Sequence, residues 1–468
     1  MLRISNHYVS RVVFVLLFVE VLILIGSAYA GAALRVYEDG KTTLPPGLDN
    51  FLVSAIAYAI AIVFSMSALG MYQLNLTEGL RNPFFQKLLP SFAMGFCILT
   101  LLFYVAPNLY FGRGIMLLVF MIGAGGIFVA RTIFLKTSEA RKFESRILFV
   151  GGGALANECR ELANRDQVYH RYEIAGFIAM PSEESRVPAS TLLEVRGGES
   201  LLTLARRHDV EEIVVSVENR RGGAFPIKEL LECKLYGVKV IDAATFFERE
   251  TSQIRVDSLQ PSWLVFGGGF DQSFIRIFVK RTFDLVVSGT LLVVSLPVMF
   301  LTALAIFIED RAPIFYQQER VGTNGETFKV LKFRSMYNDA EKGGKPQWAA
   351  QNDPRVTRVG NFIRKCRIDE LPQILNVFKG EMSFVGPRPE RPYFVEQLTE
   401  QVPYYNVRHS IKPGITGWAQ VRYGYGASVD DAVQKLQYDL YYVKNNSLFL
   451  DLLILIDTLK VVMGSHGR

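Results

Sequence analysis

The sequence predicts a membrane protein of α plus α/β class. Its expected parts are a four-helix transmembrane bundle, an α/β module on a parallel sheet, and a mainly helical C-terminal domain carrying a proline-broken re-entrant helix. Three observations predict this. Four apolar stretches of near-spanning length fill the first quarter. A strand, glycine turn and helix start follow at Arg146. A fifth apolar run, residues 285–308, has Pro297 at its centre.

Composition agrees. A length of 468 residues suggests about three domains. With 50% hydrophobic and 21% charged residues, disordered and collagen-like chains are excluded. A mean hydropathy of +0.21 speaks against a purely soluble protein. Lys plus Arg number 51 and Asp plus Glu 45, so the net charge is +6. That excess is too small to argue for nucleic acid and suits an anionic membrane surface or a phosphorylated ligand. Cys97, Cys159, Cys233 and Cys366 are far apart with no zinc-type spacing, which fits a reducing compartment.

The expected spans are residues 12–34, 51–74, 88–105 and 115–135, within a membrane domain of residues 1–140. The first is too long for a signal-peptide core and is followed by more spans. Its Glu20 either contacts another helix or reaches the headgroups on a tilted helix; the tilt is the preferred reading. Arg3 and Arg11 precede the first span, and Glu38, Asp39 and Asp49 outweigh Arg35 and Lys41 in the first loop. Arg81 and Lys87 lie in the second loop. Arg131, Lys136, Arg141, Lys142 and Arg146 cluster at and after the fourth span. The positive-inside rule then puts both ends of the bundle, and all that follows, in the cytoplasm.

Residues 141–250 read as a Rossmann-like module. Gly151, Gly153 and Ala156 give the G-x-G-x-x-A form after a buried strand, and later strands are expected at 174–179, 212–217 and 237–241. The ribose-binding acid is not well placed. Glu173 stands at a strand start, and Glu183 and Glu184 follow Pro181. No Tyr-x-x-x-Lys pair occurs in the module. A module that positions, regulates or dimerises the chain is preferred, with no tightly bound nucleotide cofactor. Residues 251–275 read as a linker, with Gln260, Pro261, Trp263 and the glycines 267–269.

Lys280 and Arg281 precede the fifth apolar run. A full span would export everything beyond residue 310. A helix bent at Pro297, about 282–308, would enter and leave on one face, with Ser288 and Ser295 available for the freed backbone groups. A kinked full span is the alternative on hydropathy alone. Residues 449–463 are apolar but interrupted by Asp451, Asp457 and Lys460, which suits a helix in the interface or packed on the core.

Three clusters in residues 276–468 carry chemistry. In the first, Gly322 and Gly325 mark a turn between extended runs, with Phe328, Val330 and Leu331 as core candidates and Lys332 and Arg334 available to an anion. In the second, Arg355, Arg358, Arg364 and Arg367 precede Asp369 and Glu370, and Pro372 fits a helix start. A helix N-terminus and arginines favour a phosphate. A carboxylate beside a bound diphosphate suits Mg²⁺. Adjacent carboxylates can also divide the work of nucleophile and acid/base partner. In the third, Pro387 and Pro389 fix the backbone of Arg388, a rigid clamp for a phosphate.

These pieces, in order, resemble the bacterial sugar transferase family, the monotopic phosphoglycosyl transferases. They are Lys280-Arg281 with Phe283-Asp284, the helix broken at Pro297, Lys332-Phe-Arg334 and Asp369-Glu-Leu-Pro372. Met382-Ser-Phe-Val-Gly-Pro-Arg-Pro389, Lys412-Pro-Gly-Ile-Thr-Gly-Trp-Ala-Gln420 and Asp439-Leu-Tyr-Tyr-Val-Lys444 complete the set. The four spans and Rossmann-like module resemble the long form, which starts exopolysaccharide or O-antigen repeat units. Short members place Ser directly before the helix-breaking Pro, whereas here Leu296 precedes Pro297.

The resemblance implies transfer of sugar-1-phosphate from a UDP-sugar to polyprenyl (undecaprenyl) phosphate, with release of UMP. It implies Asp369 as nucleophile and Mg²⁺ ligand, forming a phosphosugar–aspartyl intermediate. Glu370 supports the pair or assists proton transfer, and Lys332, Arg364 and Arg388 fall on phosphate-contacting positions. Lys280, Arg281, Ser295 and Pro297 would set the re-entrant helix at headgroup depth. The expected location is the bacterial inner membrane among its lipids, as a homodimer with both soluble domains cytoplasmic. The sugar stays open among glucose, galactose and an N-acetylhexosamine, with a bias to a plain hexose. A membrane-anchored NAD-dependent nucleotide-sugar dehydratase or epimerase, and a non-catalytic scaffold of a polysaccharide assembly complex, are the alternatives.

Overall fold

The computed structural model describes all residues except 1, 5–6, 10, 39–50, 73–82, 139–144, 165–171, 182, 195–198, 218–224, 257–269, 271–272, 312, 338–354, 425, 427 and 464–468. The loop charges Asp39, Lys41, Asp49, Arg81, Arg141 and Lys142 lie outside the described residues, as does the Gln260–Gly269 stretch. The chain forms two compact units. Residues 1–2 and 9–251 make the first, and residues 3–8 and 252–468 the second.

Among the described residues, five helices are long and apolar enough to cross a membrane. Four open the first unit: α1 (Arg11–Glu38), α2 (Phe51–Ala68), α3 (Pro83–Val105) and α4 (Arg113–Ser138). They share one apolar core that includes Leu24, Tyr58, Ile62, Leu99, Val119 and Ile127, while Phe18, Leu22, Leu101 and Leu117 face outward. Apolar residues on both sides of a helix are what a lipid environment allows. Small residues let the helices approach: a Cβ on Gly31 would come 2.8 Å from Val119.

Glu20 departs from the preferred reading. It is fully buried, and Arg131 Nε donates to its Oε1 at 2.5 Å. The Tyr72 hydroxyl donates to Oε2 at 2.6 Å, and Arg131 Nη1 donates to the Met71 carbonyl at 2.8 Å. Glu20 is thus a polar contact between helices and does not reach headgroups. An ionised group in a lipid-embedded bundle is tolerated when paired and turned inward. Arg131, counted above among the orienting cytoplasmic charges, is half of this internal pair.

Two short strands, β1 (Leu2–Ile4) and β2 (His7–Val9), precede α1, and the α/β module follows α4: β3 (Ser145–Val150), α5 (Ala154–Asn164), β4 (Tyr172–Ile178), α6 (Leu201–Arg207), β5 (Glu212–Val215), α7 (Ile227–Leu235), β6 (Lys239–Asp242) and α8 (Ala243–Thr251). The four strands pair in parallel in the order β4-β3-β5-β6. Ile147 to Val150 are buried throughout, because a central parallel strand is covered on both faces. Leu148 and Val150 enter the core on one side, Ile147 and Phe149 that on the other. Gly151 follows at φ +123°, where a Cβ would lie 2.7 Å from the Ser216 carbonyl oxygen. Glu173 pairs with Arg146, whose Nε lies 2.9 Å from its carboxylate.

The second unit is built on α9 (Phe274–Asp310), a helix of 37 residues that begins earlier than expected and runs on through Pro297. Its buried residues are Asp284, Ser288, Ser295, Thr302 and Ile306, a single stripe, while Val293, Val294, Leu296, Phe300 and Leu301 are exposed. Ser295 Oγ donates to the Leu292 carbonyl at 3.3 Å. Among the described residues the buried Ser288 hydroxyl has no hydrogen-bond partner, so it does not satisfy a backbone group near Pro297. Then come the antiparallel hairpin β7 (Phe315–Val321) and β8 (Thr327–Phe333), α10 (Arg358–Lys365), a 3-10 helix Ile368–Gln373, α11 (Ile374–Lys379) and β9 (Ser383–Val385). After them lie α12 (Pro392–Gln401), a 3-10 helix Tyr405–Ser410, β10 (Gly414–Thr416), α13 (Trp418–Arg422), α14 (Val429–Asn445) and α15 (Leu448–Met463). Strands β9 and β10 pair in parallel. Gly386 permits this closeness, since a Cβ there would lie 2.8 Å from the Gly414 nitrogen.

Part of the expected linker is core. Ile254 and Val256 are buried in the second unit, the Ile254 amide donates to the Gln437 carbonyl, and Trp418 Nε1 donates to the Ser252 carbonyl. His7 is also buried here, 2.8 Å from the Tyr441 hydroxyl. Helix α15 buries Leu450 and Ile454 and exposes Leu448, Leu452, Leu459 and Val462. Its charges turn inward, Asp451 to Lys280 at 2.9 Å and Asp457 to Arg422 at 3.3 Å.

Candidate active site

The site forms where the hairpin, the 3-10 helix Ile368–Gln373 and the segment after β9 meet. Arg367 adopts the left-handed conformation (φ +56°) and opens the 3-10 helix, placing Asp369 and Glu370 in its first turn. A non-glycine residue in this region is strained and is commonly found at functional sites. Both carboxylates are buried, at 9% and 8% exposure.

Their surroundings differ sharply. Lys332 Nζ, from β8, donates to Glu370 Oε1 at 3.0 Å, and Arg388 Nη2 donates to the same oxygen at 2.8 Å. Arg367 Nη1 lies 3.9 Å from Oε2. Burial alone would raise the Glu370 pKa, but Arg388, Lys332 and Arg367 hold it well below the usual range. Among the described residues no donor is bonded to the Asp369 carboxyl. Burial pushes its pKa upward and the charge of Glu370 adds to the rise, opposed by Lys332, Arg364 and Arg367. One carboxylate is a fixed anion inside a cationic cage. Its neighbour keeps its lone pairs unengaged.

Arg388 is positioned through its backbone. The Pro387, Arg388 and Pro389 carbonyls accept from the Gly414 amide (2.9 Å), Arg408 Nη2 (2.9 Å) and Arg320 Nη1 (3.0 Å). Arg408 is itself held by Asp439 at 2.7 Å. Asn376 fixes the hairpin from α11, its Oδ1 accepting from the Leu331 amide and its Nδ2 donating to the Lys329 carbonyl. Arg320, Arg408 and Asn376 were not among the sequence candidates. Asp439 lay in a matching motif, but nothing local marked Arg408.

Other candidates sit elsewhere. Arg334 is buried and pairs with Asp310 Oδ2 at 3.3 Å, at the end of α9. Lys280, expected at headgroups, bridges Asp284 and Asp451, each at 2.9 Å. Arg281 donates to the Val377 and Phe378 carbonyls at the end of α11, at 2.6 and 2.8 Å. Arg358 contributes its amide to Glu309 Oε1 at 2.9 Å.

A divalent cation fits this donor set only in company. No group of three or more His, Cys, Asp or Glu side chains that could hold a metal occurs among the described residues. Asp369 offers one unengaged carboxylate, and Mg²⁺ is ordinarily held by one or two carboxylates plus substrate phosphates. The residues therefore suit an ion that arrives with a diphosphate.

Comparison with known proteins agrees with this anatomy. The sequence model of the bacterial sugar transferase family matches residues 275–465. The UDP-N-acetylgalactosamine-undecaprenyl-phosphate N-acetylgalactosaminephosphotransferase of Aeromonas hydrophila is 42% identical over 238 residues, 51% of this chain and 55% of that protein. The UDP-glucose:undecaprenyl-phosphate glucose-1-phosphate transferase of Escherichia coli is 40% identical over 184 residues, 39% of each. The chain thus spans about half or less of these first relatives. An uncharacterized sugar transferase of Bacillus subtilis, EpsL, is 38% identical over 191 residues, 41% of this chain but 90% of that protein. With nine-tenths of one such protein matched, and the carboxylate pair, hairpin lysine and proline-flanked arginine all inside the matched region, the chain belongs to the bacterial sugar transferase family.

Proposed function

We propose that the protein transfers sugar-1-phosphate from a UDP-sugar to a polyprenyl phosphate, undecaprenyl phosphate in a bacterium, and so starts exopolysaccharide or O-antigen type repeat units. The observation that carries this reading is the division between two adjacent carboxylates: Glu370 caged by Lys332 and Arg388, Asp369 with no bonded donor.

An Asp369 oxygen attacks the sugar-linked phosphorus. The bond from that phosphorus to the UMP oxygen breaks, and UMP leaves with the electron pair. A phosphate oxygen of the polyprenyl phosphate then attacks the same phosphorus. The aspartyl–phosphorus bond breaks, and the carboxylate is regenerated beside a lipid-linked diphosphosugar. Arg388, Lys332, Arg364 and Arg367 face the charge that accumulates on the transferring group. Mg²⁺, held by Asp369 and the diphosphate, would supply charge neutralisation on the leaving side. Glu370 keeps Lys332 and Arg388 aimed before substrate arrives.

The two substrates demand a site at a membrane surface. The two ends of α9 support re-entry. Arg281 and Asp284 are bound to α11 and β9, and Glu309 and Asp310 to α10 and Arg334. A straight helix would separate Arg281 from Glu309 by about 42 Å. Yet both ends belong to one compact unit, and one polar stripe between them is buried. A helix held along its length by one soluble body suits entry and exit on one face, on the cytoplasmic side of the inner membrane. The outward apolar stripe of α15 suits the interface beside it. In the α/β module, the Glu183 carboxylate stands 3.1 Å from where a Gly153 Cβ would be, and the Arg186 amide donates to the Gly152 carbonyl at 2.7 Å. The chain's own acid thus stands where a dinucleotide pyrophosphate would bind. This supports a module that positions the chain or joins two copies.

The test is UMP release from membranes carrying the protein, with Mg²⁺, undecaprenyl phosphate and a panel of UDP-sugars that includes UDP-N-acetylgalactosamine, UDP-glucose and UDP-galactose. Release that needs both the lipid acceptor and Asp369 is expected. Release from no donor, or release indifferent to Asp369→Asn, overturns the reading.

A further inference from the structure

A small cleft adjoins Glu370. Arg367, Glu370, Leu371, Ile374, Ile415 and Val421 line it, together with Leu291 of α9 and Val461 and Val462 of α15. Thr416 and Thr458 also line it, but their hydroxyls are bonded to each other at 2.7 Å, and Thr458 Oγ1 donates on to the Ile454 carbonyl. Their hydroxyls are therefore already engaged. The cleft holds about 110 Å³. Pockets for drug-sized ligands run to roughly 300–1,000 Å³, so a whole nucleotide sugar is not its occupant.

The two helices that contribute to its lining also carry exposed apolar stripes, Val294, Leu301 and Ile308 on α9 and Leu452, Leu459 and Val462 on α15. The cleft thus brings apolar side chains of these two helices together with two charged residues of the phosphate site. A ligand that matches both is an amphiphile with an anionic head and a slim apolar chain directly behind it.

We infer that this cleft binds the phosphate-proximal isoprene units of the acceptor lipid, setting its phosphate against Asp369. The inference rests on the transfer reaction proposed above and adds where the acceptor enters. Leu291, Ile415 and Val461 are then specificity residues for the lipid, and α9 and α15 act as the two lips of its entrance. A nucleobase is the competing occupant. Gln420 Oε1, from a lining residue, is buried with no hydrogen-bond partner among the described residues and would accept from a ring N–H.

The experiment uses the full chain in lipid nanodiscs and a short polyprenyl phosphate bearing a diazirine on its first isoprene unit. Labelling is done on Asp369→Asn protein, so it does not depend on turnover; failure of the transfer reaction and failure of the cleft are then read separately. Adducts on peptides containing Leu291, Ile415 or Val461 are expected. Val461→Trp should cut that labelling roughly tenfold, the scale of a misfit in an apolar pocket. In the otherwise native protein it should raise KM for polyprenyl phosphate by a similar factor and KM for the UDP-sugar by much less. Leu459→Trp, on the outward stripe, controls for added bulk. Should Val461→Trp fail to fold, Val461→Thr places a hydroxyl in the wall with little change of volume and should act in the same direction. Adducts confined to α1–α4 or to Leu452 and Leu459 would overturn the inference. So would a Val461 substitution that raises donor KM and leaves lipid KM alone, the signature of a nucleobase in the cleft.

Discussion

Lys332 and Glu370 form a buried ion pair, Nζ to Oε1 at 3.0 Å, across the hairpin and the 3-10 helix. Arg388 binds the same oxygen. Glu370→Gln removes the anion on which both cations converge. Breaking a buried pair from one side typically costs about 3–5 kcal/mol, and the partly exposed Arg388 puts this case at the low end. A lower unfolding midpoint in detergent is expected, together with a large drop in transfer rate that leaves a measurable residue. Lys332→Met with Glu370→Gln should recover part of the stability and none of the activity. A double substitution no more stable than Glu370→Gln alone would show that the pair is not coupled.

Asp369→Asn keeps shape and removes the nucleophile. Because no donor is bonded to this carboxyl, little stability should change. Transfer should fall to background, and the covalent sugar-phosphate adduct, sought by mass spectrometry of protein quenched without lipid acceptor, should be present in the parent and absent in the variant. Donor binding should survive, since the cations remain.

The same environment sets a pH dependence. Attack needs ionised Asp369, whose pKa is raised by burial and by Glu370. The rate should therefore rise with pH through that raised value, above the ordinary aspartate range. The two groups titrate together, so the acid limb belongs to the pair. For stability the signs oppose. Glu370, with its folded pKa depressed, stabilises above its unfolded value, and that contribution is lost as pH falls through the folded pKa. Asp369, with its pKa raised, lowers stability as pH climbs from its unfolded to its folded value. In Glu370→Gln the acid limb of kcat/KM should shift to lower pH if the charge of Glu370 is a main cause of the rise. An unmoved limb would leave burial as the cause.

Local pattern and distant pairing were not equally readable. The parallel strands, the glycine turn and the hairpin carry period and punctuation inside short windows, and all form where expected. Asp369, Glu370, Lys332 and Arg388 stood in motifs. Glu20 was misread because its partner Arg131 is 111 residues away and nothing near either residue marks the pair. Lys280 and Arg281 read as headgroup contacts because cations beside an apolar run usually are; their partners Asp451 and the Val377 carbonyl become neighbours only in the folded unit. Lys332 and Arg334 were both read as available to an anion. The strand ends at Phe333, and Arg334 beyond it turns to Asp310.

In the membrane helices, Glu20→Gln should destabilise the protein by leaving Arg131 buried with a neutral partner. The loss should be of the order of a few kcal/mol, seen as a lower melting midpoint in detergent. Glu20→Gln with Arg131→Met should restore much of it. A headgroup-reaching Glu20 would make both substitutions nearly silent.

Lys280 sits where four elements meet, α9, α15, β9 and α14. It bridges Asp284 of α9 and Asp451 of α15, while Asp284 Oδ1 accepts from the Phe384 amide and Asp451 Oδ1 from the Tyr442 hydroxyl. Lys280→Met leaves two buried carboxylates near each other with no cation between them, and like charges in a buried site are unfavourable. Loosening of α15 from α9 is expected, with faster amide exchange in residues 448–463 and a lower melting midpoint. Adding Asp451→Asn removes one charge and should slow that exchange again. Were Lys280 instead a headgroup contact, its loss would weaken binding to anionic vesicles and leave the exchange of α15 unchanged, so the two roles separate in one pair of measurements.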